Sequence, residues 1–220
     1  MDNSSLLEYY DYNTIKDIPQ ITWIIKEFIP NNGLIILYGS PGCGKTFIVL
    51  DICLHIINKK KWFNNEVMKD GIIIYLIGEG INGIKGRLDS WSDYYNIKSE
   101  NCIYFIPINS FNIWEDENMN KLKSTISKLK IISNKNISMI IVDTLARAST
   151  GLDENSSRDM GKFLKNFEKV KDMYQCSILF IHHKGKDESK GMRGSSSLLG
   201  AVDTCIDIKK LENNKLLIKI

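Results

Sequence analysis

LIILYGSPGCGKTFIVLDICLHII, residues 34–57, joins two apolar runs through a glycine-rich loop. The first run, 34–38, is short and continuously apolar, which favours a strand that is covered on both faces. The second run, 47–57, is apolar nearly all round and predicts a buried helix. A buried strand followed directly by a buried helix is typical of an α/β domain with a parallel sheet.

The loop between the two runs has the pattern G-x-x-x-x-G-K-T. Its residues are Gly39, Ser40, Pro41, Gly42, Cys43, Gly44, Lys45 and Thr46, and Phe47 begins the apolar run that follows. Backbone N–H groups of such a loop surround a β-phosphate, the lysine neutralises the β- and γ-phosphate oxygens, and the hydroxyl binds Mg²⁺. The alternative is a glycine-rich turn with an exposed lysine, but the flanking strand and helix favour a phosphate-binding loop. We therefore expect Mg²⁺ and a nucleoside triphosphate at this loop, with residues 39–47 as the nucleotide-binding residues.

Short apolar runs alternate with amphipathic stretches along the rest of the chain. Strands are predicted over 72–77, 103–106, 139–142, 178–181, 204–208 and 216–220, and surface helices near 119–129 and 160–170. Asn213 and Asn214 favour a tight hairpin turn between the last two strands. The expected fold is α/β, with a mostly parallel twisted sheet flanked by helices and an antiparallel hairpin at the C-terminal edge. We expect one domain over residues 21–220 after a polar lead-in over 1–20, with 23–29 as its first packed stretch.

Two carboxylates follow predicted strands. Asp143 ends the run SMIIVD, and Glu79 lies between two glycines directly after IIIYLI. Because the carboxyl ends of parallel strands meet at one edge of a sheet, both side chains should lie beside the phosphate loop. Asp143 is the candidate for holding Mg²⁺ together with Thr46, and Glu79 for polarising an attacking water. The alternatives are an aspartate that caps a turn and a solvated loop glutamate.

Two histidines, His182 and His183, follow the run SILFI and should lie at the same edge. An imidazole there can hydrogen-bond to a γ-phosphate oxygen and respond to its loss. Side chains alternate along a strand, so the two rings cannot face the same way, and one of them faces solvent or packing. His55, inside the apolar helix, is expected to be a packed or hydrogen-bonded core residue.

Two polar segments, 148–157 and 184–197, are rich in small and charged residues. Their composition predicts mobile loops that grip a phosphate backbone or reach a neighbouring subunit's nucleotide, and a solvated loop without such a role is the alternative. Arg193 is the main candidate for a guanidinium that stabilises the transferring phosphate in trans. Arg87 and Arg147 are secondary candidates.

The overall composition excludes several classes of protein. A formal net charge of +3, from 29 basic and 26 acidic residues, is too small for DNA binding by bulk electrostatics, so any nucleic-acid contact must be local. The five cysteines are widely spaced and form no CxxC pair, which indicates neither a disulfide framework nor a zinc site and fits a reducing cytoplasm. The acidic N-terminus and the lack of a long apolar run argue against a secretory signal and a membrane span.

Five motifs occur in order along residues 21–220: YGSPGCGKTFIVLDICLHI, IYLIGEGINGIKGRLDSW, IIVDTLARASTGLDENSSRDMGKF, ILFIHHKGK and GMRGSSSLLGAVD. Together they resemble the RecA-like ATPases of the plasmid replicative helicase RepA group. The resemblance implies a RecA-type sheet and a hexameric ring with ATP between its subunits and single-stranded DNA through its centre. The chain ends at KLLIKI, where RepA-like proteins continue with further strands and basic residues, and it lacks a primase or zinc module. We expect either a fragment or a compact version from a mobile element.

The resemblance also implies roles for individual residues. Lys45 and Thr46 match the positions that bind phosphate and Mg²⁺, Glu79 the catalytic carboxylate, and Asp143 the Walker B acid. One of the two adjacent histidines, with His183 favoured over His182, matches the γ-phosphate sensor. Arg193 lies in or beside the loop that the family uses for DNA and intersubunit contacts.

Two functions fit these features. The first is an ATP-hydrolysing motor, specifically a DNA helicase that acts on single-stranded DNA in replication of a plasmid, phage or other mobile element. The second is a nucleotide-switched oligomeric binding or regulatory ATPase of the RecA/KaiC-like type that does not translocate, which the modest net charge and the lack of aromatic residues on the loops leave open. A small-molecule kinase would need a lid with clustered arginines, and the sequence contains none.

Overall fold

The computed structural model describes residues 9–18, 20–97, 102–108, 112–185, 196–212 and 215–220. The strands are β1 (Trp23–Ile25), β2 (Ile29–Pro30), β3 (Leu34–Gly39), β4 (Ile72–Ile77), β5 (Ile103–Pro107), β6 (Ile137–Asp143), β7 (Ser177–His183), β8 (Thr204–Lys210) and β9 (Leu216–Lys219). The helices are α1 (Tyr12–Lys16), α2 (Lys45–Ile57), α3 (Ile84–Tyr95), α4 (Asp116–Ser133), α5 (Leu145–Ala148), α6 (Ser157–Tyr174) and α7 (Ser196–Gly200). Among these helices, none combines the length and the apolarity that crossing a bilayer requires.

Strands β3 to β9 form one sheet in the order β5-β4-β6-β7-β3-β8-β9. All neighbours pair in parallel except β8 and β9, which are antiparallel at the edge. A helix follows each strand from β3 to β6, because parallel neighbours need a crossover connection. The predicted α/β fold with a mostly parallel sheet and an antiparallel edge hairpin is therefore confirmed. The predicted turn at Asn213 and Asn214 lies outside the described residues.

Helices cover both faces of this sheet. On one face, Ile36 and Phe180 belong to a cluster of buried side chains with α4 and α6. On the other face, Leu37 and Leu179 are clustered with α2 and with the antiparallel pair of β1 and β2. Central strands are buried on both sides, and β4 is buried at every position, which explains why the strands have continuous rather than alternating apolar sequences.

The carboxyl ends of the central strands lie side by side at one edge of the sheet. Gly39 at the end of β3 is in register with His183 at the end of β7. Asp143 at the end of β6 is in register with Ile181 on β7 and with Ile77 at the end of β4. The segments that follow these strands therefore begin next to one another, which places the phosphate loop beside the two acidic strand ends.

Helices α1, α3, α5 and α7 and the pair of β1 and β2 were not assigned from the sequence. Only Ile84 and Trp91 of α3 are buried, so its apolar residues are too few to show a helical period. The stretch 23–29, expected only to be packed, forms β1, a turn and the start of β2. It contributes three side chains with no exposed surface to the core, those of Ile24, Ile25 and Ile29.

Candidate nucleotide-binding site

The phosphate loop connects β3 directly to α2. Gly42 and Gly44 have φ values of +75° and +97°, in the left-handed region that side chains with a Cβ rarely adopt. A Cβ at Gly39 would collide with the carbonyl oxygen of Ile208 on β8 and with the sulfur of Cys43. The glycines of the pattern are therefore required by the backbone itself, and the loop wraps over the N-terminus of α2.

Lys45, the first residue of α2, lies folded back inside the loop. Its Nζ atom donates hydrogen bonds to the carbonyl oxygens of Gly39, at 2.9 Å, and Ser40, at 3.0 Å. The side chain is buried, and this burial lowers the pKa of the Lys45 ammonium, although the charge of Asp143 opposes the shift. The ammonium is thus held at the loop by carbonyls that a phosphate oxygen can replace.

Asp143 accepts two hydrogen bonds at the end of β6. The Tyr75 hydroxyl donates to Oδ2 at 2.6 Å, and the Thr46 hydroxyl donates to the same oxygen at 3.3 Å. Burial raises the pKa of the Asp143 carboxyl, and these two hydrogen bonds limit the rise. Burial and the Asp143 charge raise the pKa of Tyr75 well above its ordinary value, so Tyr75 remains a donor. The only sign of Tyr75 in the sequence is a single hydroxyl within the run IIIYLI, which needs a partner when it is buried.

Glu79 follows the end of β4 and lies at the mouth of the site. Arg147 on α5 donates from Nε to Glu79 Oε1 at 2.9 Å, and both side chains are about half exposed. Arg147, a secondary candidate for an arginine finger, therefore contacts the candidate catalytic carboxylate of its own chain.

The two adjacent histidines have different surroundings. His183 lines the cavity beside the loop, where burial and then the Lys45 charge lower the pKa of its imidazole, so the ring is neutral at neutral pH. Its Nδ1 atom is buried without a hydrogen-bond partner in the described part of the chain. His182 is almost completely buried and does not line this cavity, because alternation along β7 turns it to the other face of the sheet. The catalytic role predicted for His182 stays a prediction.

A single cavity of about 350 Å³ brings most of the candidates together. Its lining includes Lys45 and Thr46 from the loop, Glu79 and Asp143 from the strand ends, and His183. This volume is in the range of small-molecule binding pockets. Phe47 and Arg87 also line it, and the guanidinium carbon of Arg87 is 4.7 Å from the centre of the Phe47 ring.

Other residues of the predicted site lie elsewhere. Ser40, Pro41 and Cys43 line a second cavity of about 310 Å³ on the other side of the loop, next to Lys209 and Lys210. Arg193 lies outside the described residues. His55 is a buried residue that hydrogen-bonds to Asp51, as expected of a core histidine.

Two features of the predicted loops differ from expectation. Lys184, expected in a mobile loop, is buried in an ion pair with Asp207 on β8, at 2.8 Å, because the chain still runs beside β3 at this point. Ala148 and Ser149, expected at the start of the other loop, are also buried. Both segments are hydrophilic in composition, so the sequence did not indicate that Lys184, Ala148 and Ser149 are buried.

The residues present fit a magnesium ion. Within the described ranges, no three His, Cys, Asp or Glu side chains form a group that could hold a metal ion. The hydroxyl of Thr46 and the carboxylate of Asp143 supply two adjacent hard oxygen ligands. Mg²⁺ prefers such oxygens and completes its shell with water and substrate phosphates.

Comparisons with known proteins agree with this geometry. Residues 9–189 match the family model described as AAA domain (AAA_25). The chain belongs to this family of AAA domains. The family is one of P-loop ATPases, so membership indicates nucleotide binding and ATPase activity, usually with Mg²⁺.

A solved structure with a similar fold is that of a KaiC-like protein from the hyperthermophilic archaeon Pyrococcus horikoshii OT3. The TM-score is 0.56 at 13% sequence identity, and the alignment covers 89% of this chain and 80% of the other. At this identity the similarity shows a shared RecA-like fold. A comparison with curated proteins gave no match.

Proposed function

We propose that this AAA domain is the ATP-hydrolysing motor of a DNA helicase of the RepA-like type, which acts on single-stranded DNA in replication of a plasmid, phage or other mobile element. The observation that carries the proposal is the cavity in which Lys45, Thr46, Asp143, Glu79 and His183 meet. These five side chains come from four separate segments, and their chemistry matches the needs of phosphoryl transfer to water.

Lys45 and the loop hold the phosphates in this proposal. Oxygens of the β- and γ-phosphates replace the carbonyls of Gly39 and Ser40 as partners of the Lys45 ammonium. Thr46 and Asp143 would hold Mg²⁺, which would supply positive charge to offset the negative charge of the reacting phosphate group. The hydroxyl of Tyr75 keeps the Asp143 carboxylate oriented toward Thr46.

Glu79 orients the water that attacks. The water oxygen forms a bond to the γ-phosphorus, the bond from that phosphorus to the bridging oxygen breaks, and ADP leaves with the electron pair. The proton lost by the water passes to the Glu79 carboxylate. The neutral imidazole of His183 donates a hydrogen bond to a γ-phosphate oxygen, so loss of the phosphate removes a contact at the end of β7.

The proposed connection to DNA is through the segment after β6. Arg147 pairs with Glu79 and lies on α5, directly before the segment 148–157. In a ring of six copies, a DNA strand bound near this segment would move α5. This movement would break the ion pair with Arg147 and free Glu79 to orient water. The half-exposed position of Glu79 at the mouth of the cavity supports a site that a neighbouring copy completes.

The test measures ATP turnover with and without single-stranded DNA, together with unwinding of a tailed duplex. We expect DNA to stimulate turnover many-fold, and Glu79→Gln to lower kcat by about 10²–10⁴-fold in both conditions. Lys45→Ala should abolish ATP binding, while Glu117→Gln, an exposed glutamate of α4, should leave turnover unchanged. A Lys45→Ala protein that hydrolyses ATP at the wild-type rate contradicts the phosphate-loop assignment.

A nucleotide-switched oligomeric ATPase without translocation is the second candidate. The ion pair between Arg147 and Glu79 favours it, because a carboxylate held by a guanidinium suits a slow ATPase whose nucleotide state controls assembly. Turnover that single-stranded DNA leaves unchanged, combined with an oligomer size that depends on the nucleotide in light scattering, would favour this candidate over the motor.

A further inference from the structure

Phe47 is the most exposed apolar side chain of helix α2. Most of this helix is buried, yet Phe47 keeps 57% of its surface exposed. Exposed single apolar residues are common on proteins and by themselves indicate nothing. This one lines the cavity that contains Lys45 and Thr46, and it follows Thr46 directly in sequence.

Arg87 fixes the ring from one side. Its guanidinium carbon lies 4.7 Å from the centre of the Phe47 ring, a distance typical of a cation–π contact. Phe47 is on α2 and Arg87 is on α3, so the stack joins two helices across the cavity. The ring is thus held in place while most of its surface remains open to a ligand.

The position matches what a bound nucleotide requires. With the triphosphate at the glycines and Lys45 of the loop, as the proposed function has it, the ribose and base must lie beside the loop. Gly42 and Gly44 of the loop line the same cavity as Phe47 and Arg87. Aromatic rings and guanidinium planes are common surfaces for nucleobases, because every base has a π-face that stacks on them.

We propose that the Phe47 ring, supported by Arg87, is the stacking platform for the nucleobase of the bound triphosphate, and that it favours purines over pyrimidines. The proposal rests on the proposed function only in placing the triphosphate in the loop. A purine covers more of the ring than a pyrimidine does. Stacking responds to ring area and not to hydrogen-bonding groups, so the platform separates ATP and GTP from CTP and UTP but does not separate ATP from GTP.

The experiment measures binding of Mg²⁺-ATP, Mg²⁺-CTP and inorganic triphosphate by calorimetry, with Glu79→Gln present in every protein to prevent hydrolysis. Phe47→Ala should weaken ATP binding by about tenfold, the effect expected for loss of one base–aromatic stack, and should weaken CTP binding less. Binding of inorganic triphosphate should not change, because it has no base. Phe47→Leu, which keeps an apolar side chain without a ring, should resemble Phe47→Ala.

Phe63→Ala is the matched control. Phe63 is also an exposed aromatic residue, at 71%, but it lies beyond the other end of α2 and does not line the cavity. Its substitution should leave all three affinities unchanged, and near-ultraviolet circular dichroism and thermal unfolding verify the fold of each variant.

The outcomes separate the platform from the site itself. Unchanged ATP binding in Phe47→Ala overturns the platform, and so does full retention of ATP binding in Phe47→Leu, which would show that apolar contact suffices. An equal loss of ATP and inorganic triphosphate also overturns it, since Phe47 would then act on the phosphate loop. If the protein with native Phe47 binds none of the three ligands, the nucleotide site fails, and the platform fails with it.

Discussion

Glu79 and Arg147 form an ion pair at the mouth of the cavity. Their 2.9 Å contact joins two half-exposed side chains, and such surface ion pairs add little to the stability of a fold. The effect on chemistry is larger, because the Oε1 atom that accepts from Arg147 has less capacity to accept from a water. We therefore interpret the ion pair as a brake, a contact that lowers the rate of ATP hydrolysis by keeping the Glu79 carboxylate from the water.

Arg147→Ala removes this brake. In the absence of DNA we expect ATP turnover to rise about fivefold or more, the low end of coupling between sites, and stimulation by single-stranded DNA to shrink accordingly. Arg158→Ala, an exposed arginine of α6, is the control and should leave both rates unchanged. Turnover that falls to the same extent with and without DNA would instead identify Arg147 as a residue that positions Glu79 for catalysis.

Single residues also show the limit of pattern recognition. Asp143 was expected in the site because it ends a strand, a feature that is visible in the sequence. Tyr75 was missed because a tyrosine in an isoleucine-rich strand resembles any other packed aromatic residue. Its hydrogen bond to Asp143 joins residues 68 positions apart, and only the parallel pairing of β4 with β6 brings them together.

Helices α2 and α3 form two sides of the cavity, and Asp51 joins them. Its carboxylate accepts hydrogen bonds from the indole N–H groups of Trp62, at 2.8 Å, and Trp91, at 2.7 Å, and it pairs with His55 at 3.2 Å. Burial alone would raise the pKa of Asp51, but the bonds from His55 and the tryptophans lower it overall. Burial alone would lower the pKa of His55, but Asp51 raises it overall. Trp91 lies about one turn after Arg87 on α3, so this junction anchors the helix that carries Arg87.

Asp51→Ala leaves two buried indole donors without their acceptor. We expect the free energy of unfolding to fall by about 2 kcal/mol, within the range for an unsatisfied buried group, as measured by urea denaturation. Asp89→Ala, which removes an exposed ion pair on the same helix as Trp91, should change it by less than about 0.5 kcal/mol. A loss no larger than that of the control would contradict the junction.

The same junction makes stability depend on pH. Because the folded pKa of His55 is raised, its contribution is complete below its ordinary value of 6.5 and is lost as the pH rises through the raised value. The lowered pKa of Asp51 keeps the carboxylate charged throughout this window. The free energy of unfolding of the native protein, measured by urea denaturation at a series of pH values, should therefore fall as the pH rises through this window. Asp51→Ala should abolish this part of the pH dependence.

The stability of the whole domain depends on the segments that cover the two faces of the sheet. The described part of the polar lead-in, residues 9–18, is exposed at every position, and α1 buries no side chain. The next segment is different, since β1 and β2 seal the face that carries α2. We propose that the folding unit begins at about residue 21, as the sequence indicated.

A protein that begins at residue 21 should therefore keep the stability of the full chain to within about 0.5 kcal/mol. A protein that begins at residue 31 loses the buried side chains of Ile24, Ile25, Phe28 and Ile29. Each is worth about 1.5–3 kcal/mol, and their sum is comparable to the whole stability of a typical domain, so we expect this protein not to fold. Thermal unfolding followed by circular dichroism measures both. A large loss in the first protein would show that the lead-in packs on the domain.

The sequence by itself determined the mostly parallel sheet with its seven strands, the helices α2, α4 and α6, the phosphate loop and the two acidic strand ends. Each of these follows from contiguous residues, because local periodicity and a fixed loop pattern specify local backbone geometry. Tertiary structure decided the partners: Arg147 for Glu79, Tyr75 for Asp143, Asp207 for Lys184, and Arg87 for Phe47. It also decided that His183 rather than His182 faces the cavity. Such contacts join residues far apart in the chain, and they depend on strand register and helix placement, which no local pattern contains.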